Sequence, residues 1–373
     1  MEEVHRIGDD EMSENILRYF AGGNTAKGFY SLYDSNLADI ERVLLLTGRS
    51  QREKSEIMEQ LLNKWKDQAC FIEIIYRANH PDQVEGFIIR EKGFAIIDAD
   101  PPRIIGEEYV GPQWETIDLE QEDRTANLGE NQQILDSLQR KIQEQYAEAY
   151  KAYAKALRIH DDWEDIYIGR MNFTQADQVT EALLAKLFAD TDKVTTKKSK
   201  ILRRFLGAAT PVGAVDFVDN ITEGLQNRYF LKGRAGTGKS TLLKKVVAEA
   251  EKHGYDLEIY QCGFDPESLD MVLIRELGWA VFDSTSPHEY FPDRPGDSII
   301  DMYELTVAPG TDETFAEEIA HIEAKYREQM QLGKKHLAEA QTVLEQLEDL
   351  YSKYFDHSRI ANIYYEVEQS LSI

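Results

Sequence analysis

Apolar residues recur along this chain with two different periods. From Phe315 to Tyr354, residues Ile319, Ile322, Tyr326, Met330, Leu337, Leu344, Leu347, Tyr351 and Tyr354 stand at near-heptad spacing on a charged background. That pattern predicts a long helix with one apolar seam. Ile134, Leu138, Ile142, Tyr146, Tyr150, Tyr153 and Leu157 echo it earlier in the chain. Such helices are expected to pack on each other, on a protein partner, or as a layer over the chain's own core. Elsewhere the apolar runs are short. Arg228–Leu231 leads directly into a glycine-rich turn, Leu257–Cys262 reads as a second strand, and Trp279–Asp283 (WAVFD) is too short and too apolar for a surface element. The last of these predicts a buried parallel strand. Between them Thr241–His253 carries helical spacing through Leu242, Leu243, Val246, Val247 and Ala250, and stops at Gly254, a good residue for a helix C-terminus. Strand, helix, strand and strand with helical connections predict an α/β fold with a parallel sheet and flanking helices.

The pattern is written twice. Displaced so that Arg18 falls on Arg203, residues 18–111 align with 203–296 without a gap. The alignment holds about 21 identities, roughly four times the chance level, which marks an internal duplication. RYFAGGNTAKGFYSLYD lies over RRFLGAATPVGAVDFVD, and LLLTGRSQREKS over YFLKGRAGTGKS. The match fades after Gly111 and Gly296 but returns in the helical parts, where Glu164-Asp165-Ile166-Tyr167 mirrors Glu348-Asp349-Leu350-Tyr351. Two tandem units are therefore expected, at about residues 1–200 and 201–373, each an α/β core with a long helical C-terminal extension. Homologous units of this kind are expected to pair around a pseudo-two-fold axis, as homodimers do.

Composition narrows the functional classes. With 373 residues, 42% of them apolar and 29% charged, the chain suits two domains of ordinary size. A net charge of −26 opposes non-specific binding to nucleic acid. One basic run, Lys193–Arg204, straddles the joint between the units; it reads as a solvated linker or as a docking patch for an anionic partner. Cys70 and Cys262 give neither a metal spacing nor a disulfide framework, which suits a reducing, cytoplasmic setting. The acidic opening MEEVHRIGDDEMSEN predicts no signal peptide. No apolar run approaches the ~18 residues that a membrane span needs, so no membrane partner is expected.

Residues 233–240 read G-R-A-G-T-G-K-S. The pattern G-x-x-x-x-G-K-S after a strand and at the opening of a helix is a phosphate cradle. Gly233, Gly236 and Gly238 permit backbone angles that a Cβ resists. The amides of Gly233, Arg234, Ala235, Gly236, Thr237, Gly238, Lys239, Ser240 and Thr241 are then expected to face an anion, helped by the helix N-terminus. Lys239 would reach the β- and γ-phosphates of ATP or GTP, and the Ser240 hydroxyl would ligate Mg2+. The first unit carries Gly48-Arg49-Ser50-Gln51-Arg52-Glu53-Lys54-Ser55 at the equivalent place. Gln51 and Glu53 stand where the second unit has Gly236 and Gly238, adding Cβ atoms and a negative charge beside the lysine. Weak or absent nucleotide binding is expected there, unless Arg49 and Arg52 compensate.

By GRAGTGKS and by Phe282-Asp283, the second half resembles the P-loop NTPase superfamily. The whole chain resembles a sparsely characterised bacterial family of ATPases with two tandem P-loop halves. That family carries a segment like D-x-T-x-P-H after the second strand carboxylate. Here it is Asp283-Ser284-Thr285-Ser286-Pro287-His288, whereas the first unit has Asp98-Ala99-Asp100-Pro101-Pro102-Arg103 and lacks the Thr and His. The resemblance implies that Asp283 completes the Mg2+ shell beside Ser240. It also implies that intact loops are common in both halves, a pattern from which the first half departs.

The chemistry beyond phosphate binding is less determined. Many hydrolytic P-loop ATPases place a Glu directly after this Asp, and here Ser284 follows. His288 is a candidate catalytic group with Lys239 and Asp283, or else a loop histidine with one hydrogen bond. Asp265 and Asp270 would sit at the carboxyl edge of the sheet, where a base can act; alternatively Asp265 or Ser268 caps a helix. Arg294 could act as an arginine finger within the chain, while Arg90 and Arg275 align and suggest a structural ion pair. Three functions remain open: an ATPase with a degenerate, regulatory N-terminal half, a kinase acting on a small molecule or nucleotide, and a nucleotide-gated scaffold signalling through its long helices.

Overall fold

The computed structural model describes residues 15–66, 70–103, 114–120, 131–189, 191, 196–354 and 357–371, and statements of absence below concern these residues. The acidic opening at 1–14, positions 104–111 of the aligned repeat and positions 192–195 at the basic run lie outside them.

The first half contains β1 (Ile16–Tyr19), β2 (Gly22–Thr25), β3 (Gly28–Ser31), β4 (Arg42–Thr47), β5 (Ile72–Arg77), β6 (His80–Ile89), β7 (Phe94–Asp98) and β8 (Trp114–Asp118). The second contains β9 (Ile201–Phe205), β10 (Gly207–Thr210), β11 (Gly213–Asp216), β12 (Asn227–Lys232), β13 (Leu257–Gln261), β14 (Leu269–Ile274), β15 (Trp279–Asp283) and β16 (Asp297–Asp301). Each half builds a six-stranded sheet in the same order, β1-β5-β6-β7-β4-β8 and β16-β12-β15-β14-β13-β9, plus a two-stranded hairpin, β2-β3 or β10-β11. The expected wholly parallel sheet is corrected at one strand. β14 runs antiparallel to both β13 and β15, as β6 does to β5 and β7. The reason is connection length: residues 262–268 between β13 and β14 form a turn, far short of the dozen or more that a parallel crossover needs. No helix follows that turn, so Asp265 caps none.

Burial explains the elements. In β15, Trp279, Ala280, Val281 and Phe282 are all buried, as a strand covered on both faces requires. The helix Lys239–His253 buries Leu242, Leu243, Val246 and Ala250, one stripe at helical period. Each buried leucine or valine there contributes about 1.5–3 kcal/mol.

The halves meet reciprocally. Arg18 N donates to Asn220 Oδ1 (2.7 Å), and Arg203 N, one repeat later, donates to Ser35 Oγ (2.9 Å), itself one repeat before Asn220. Such swapped pairs are the mark of a two-fold contact. Tyr19, Phe20, Phe205 and Phe217 share one core across the contact. The basic run is no mere linker: its end is strand β9, and Arg204 is buried between Glu73 (2.8 Å) and Glu258 (2.6 Å). Arg90 and Arg275 close the same network, onto Glu73 and Glu258 respectively, each at 2.5 Å.

The helical extensions tie the halves further. The long helices Gln132–Ile168 and Ala316–Ser352 pack antiparallel: Leu135 meets Leu347 and Tyr351, Tyr153 meets Leu337, and Ile166 and Tyr167 join the cluster of Phe315, Ile319 and Ile322. Helix Phe173–Leu187 sets Leu183 and Leu187 into the core of the second sheet, while helix His357–Leu371 sets Ile360, Ile363 and Val367 into that of the first. No helix is long and apolar enough to cross a membrane.

Candidate functional site

β12 brings the chain to Gly233, and the helix from Lys239 carries it away. Between them the loop closes on itself: Thr237 Oγ1 and Lys239 Nζ both donate to the Arg234 carbonyl at 2.8 Å. Gly236 and Gly238 have φ of 71° and 84°, left-handed values that glycine adopts without strain. At Gly236 there is a second constraint. A Cβ there would lie 2.7 Å from the carbonyl oxygen of Glu164, on the long helix of the first half.

Neighbouring strands complete the floor. β15 pairs beside β12 with Leu231 opposite Asp283, so Asp283 Oδ2 stands 3.6 Å from Lys239 Nζ. Asp283 Oδ1 accepts from Thr285 N (3.1 Å) and Thr285 Oγ1 (2.6 Å). Ser240 Oγ accepts from Leu269 N at 3.1 Å. Residues 232–241 line a cavity of about 1030 Å³, which Asp270, Asp283 and His288 also face. Lys239, Ser240, Asp283 and His288 are thus brought together, with Gly233, Arg234, Ala235, Gly236, Thr237, Gly238 and Thr241 beside them.

The side chains differ in readiness for chemistry. His288 Nδ1 lies 2.5 Å from Asp216 Oδ2, and Tyr290 Oη donates to the other oxygen at 2.5 Å. Burial would depress the imidazole pKa, but the hydrogen bond and charge of Asp216 outweigh it and raise it above the ordinary value. His288 is therefore a tethered group rather than a free base. Asp270 is pushed up to about 7, by burial first and by the charge of Asp283 second, which gives a carboxyl that titrates near neutrality. Asp265 accepts from Glu267 N (3.2 Å) within its turn. Arg294 donates to Thr222 Oγ1 (3.1 Å) and does not line the cavity. Arg234 pairs with Asp312 at 3.0 Å on the exposed rim.

The walls were not legible in the motif. His160, Trp163 and Glu164 come from the first half's long helix, and Tyr326 and Lys334 from the second. His160, Trp163 and Tyr326 form a ring cluster with centroids 5.8–6.3 Å apart. Burial lowers the pKa of His160, whose Nδ1 lies 3.5 Å from Glu164 Oε1. The one signal that could have found this wall is the repeated Glu-Asp-x-Tyr segment.

Against known proteins this chain matches no family model, no curated protein and no solved structure.

The equivalent loop of the first half is filled. Lys54 is wholly buried, with Nζ 2.8 Å from Asp98 Oδ1 and also bonded to Asp100. Arg49 pairs with Glu120 and Arg52 with Asp349, so neither arginine is held free for an anion. Arg77, Glu85, Asp98 and Arg103 form a buried ion cluster, in which Arg77 Nη1 bonds Asp98 Oδ2 at 2.7 Å. Burial would raise the Asp98 pKa, but Arg103, Arg77 and Lys54 hold it far below the usual carboxylate range.

Proposed function

We propose that the protein binds one nucleoside triphosphate per chain, ATP or GTP, with Mg2+ at the second half's loop, and hydrolyses it. The observation that carries this reading is the contrast between the halves. A loop of phosphate-binding sequence opens onto a large cavity in one, and the same loop is filled by side chains in the other. Amides 233–241 and Lys239 would hold the phosphates, and Lys239 would neutralise charge that builds up during transfer. Among the described residues no group of three His, Cys, Asp or Glu is arranged to hold a metal. Ser240 and Asp283 would therefore supply two ligands of a Mg2+ ion that takes the others from phosphate and water; the ion would neutralise phosphate charge. Asp270, titrating near 7, is the group best suited to accept a proton from the attacking water. His288, held by Asp216, would act as a fixed positive group.

The cavity favours one second reading. Ligand sites commonly measure about 300–1,000 Å³, and this one, at about 1030 Å³, leaves room beside a nucleotide for an acceptor hydroxyl. Asp270 would then take its proton, and the protein would be a kinase. Calorimetric titration with Mg–ATP and Mg–GTP, followed by phosphate release with and without small-molecule extracts, tests both. One site per chain and acceptor-independent phosphate release are expected. Two equal sites, or none, would overturn the reading; ADP formed only with an acceptor would select the kinase.

A further inference from the structure

We propose that the first half is a self-loaded site, in which the carboxylate of Glu348 stands where a phosphate would bind and the guanidinium of Arg77 stands where the metal ion would be held. The inference rests on the reading of residues 233–240 as a phosphate loop, since it takes its positions from that loop.

The carboxylate comes from the other half. Glu348 lies on the long helix Ala316–Ser352 and is 5% exposed. Three donors from consecutive residues converge on it: Ser50 Oγ to Oε2 at 2.5 Å, Gln51 N to Oε1 at 2.9 Å and Arg52 N to Oε2 at 3.3 Å. The first half's helix begins at Gln51, three repeat positions earlier than the second half's helix at Lys239. These are therefore donors of a helix N-terminus closing on one anion, the arrangement by which helix starts hold phosphate. Arg52 Nη1 adds a bond to Asp349 at 2.9 Å, which fixes the incoming helix.

The cation comes from the first half itself. Arg77 is fully buried; its Nε donates to Ser55 Oγ at 3.1 Å and its Nη1 to Asp98 Oδ2 at 2.7 Å. Ser55 and Asp98 occupy the repeat positions of Ser240 and Asp283, the two side chains assigned to Mg2+ in the other half. One guanidinium thus bridges the hydroxyl and the carboxylate that a metal ion would bridge. The second half has Cys262 where the first has Arg77, so it carries no such resident cation.

Two further differences explain why only one loop is closed. The loop offers a hydroxyl at Ser50 but only a methyl at the equivalent Ala235. One helical turn before Glu348 stands Leu344, which cannot bond a carboxylate, whereas one turn before Glu164 stands His160. Glu164 leans toward His160 at 3.5 Å, and among the described residues no amide of loop 233–240 donates to it. The halves therefore show one device in two states: a helix-borne glutamate seated in the nest, and its counterpart withdrawn from it.

Hydrogen exchange of the full chain, read by mass spectrometry on peptides covering residues 49–53 with no nucleotide or metal present, tests this. In the wild type the Gln51 and Arg52 amides are expected to be protected without any added anion. In Glu348→Ala they exchange about tenfold faster, as loss of a hydrogen bond to a charged acceptor implies, and millimolar sulfate slows them again while leaving the wild type unchanged. Glu348→Gln keeps the volume but has one acceptor oxygen where two are needed, so it speeds exchange in the same segment and decides the matter if the alanine variant does not fold. Unprotected wild-type amides, unchanged exchange in a folded variant, or no response to sulfate in a variant with accelerated exchange would overturn the proposal. No nucleotide enters the experiment, so its outcome is separate from that of the proposed activity.

Discussion

Segments 48–55 and 233–240 share a preceding strand, a lysine and a serine, yet one is saturated and the other open. The helix begins at Gln51 in the first and only at Lys239 in the second, after left-handed Gly236 and Gly238. In the first, Lys54 is bonded to Asp98 and Asp100, and the loop donors to Glu348. In the second, Lys239 bonds only a loop carbonyl and stands 3.6 Å from Asp283, at the floor of the cavity. The difference teaches that an anion cradle is stable either way. Buried donors need acceptors, and those may come from the chain or from a ligand. In the first half the donors of Ser50, Gln51 and Arg52 are met by Glu348 and the ammonium of Lys54 by Asp98 and Asp100, so the chain itself supplies the acceptors there.

The largest expected effect separates the two lysines. Lys239→Ala should weaken nucleotide binding at least about a hundredfold, the scale of a lost charge-assisted contact in a partly dry site. Lys54→Ala should leave nucleotide binding within about twofold, but it strips a partner from buried Asp98 and should cost about 3–5 kcal/mol of stability. Calorimetry and denaturant unfolding read the two, and equal effects on binding would break the comparison.

A smaller effect should follow from making the open loop resemble the closed one. Ala235→Ser with His160→Leu gives Glu164 a hydroxyl to bond and removes the imidazole beside it. Nucleotide binding should weaken about tenfold, the work of displacing a seated carboxylate with its few hydrogen bonds. Adding Glu164→Ala to that pair should restore it. If the triple variant binds as weakly as the double, Glu164 is not the cause.

The smallest effect concerns pH. The folded pKa of Asp270, raised to about 7 from the ordinary 3.8, means that the folded state binds more protons than the unfolded state between those values. Stability must then fall as pH rises through that window and level off above it. Asp270→Asn should flatten the fall, which is expected to be of order 1–2 kcal/mol, in melting curves taken from pH 5 to 8. The first half offers the contrast, because Glu85 at the equivalent position is paired with Arg103. Glu85→Gln should instead deprive buried Arg103 of a charged partner and lower stability.

Particular residues show how much of this was legible in advance. The strand at Trp279–Asp283, the helix closing at Gly254 and the long seams from Ile134 and Ile319 could be read because period and punctuation are local properties. The antiparallel β14 was missed, since LDMVLI is an apolar run whose direction depends on its connection and not on its composition. His288 could be named as a candidate from its motif, but its bond to Asp216 links residues 72 positions apart. Arg77 had no motif to mark it, and Glu348 stood in the repeated Glu-Asp-x-Tyr segment with nothing local to say where that segment docks.

By itself the sequence determined the duplication, the α/β character of each unit and the contrast in glycine content between residues 233–240 and 48–55. These follow from spacing along the chain, which the backbone converts directly into turns, strands and helix starts. Only the tertiary structure decided which acidic group sits over which loop. The long helices cross antiparallel, so each half's Glu-Asp-x-Tyr segment lands on the other half's loop; Glu348 enters its nest while Glu164 stays out. That outcome depends on a few ångströms of approach between segments up to 298 positions apart, and hydrogen-bond energy at that range has no trace in local sequence.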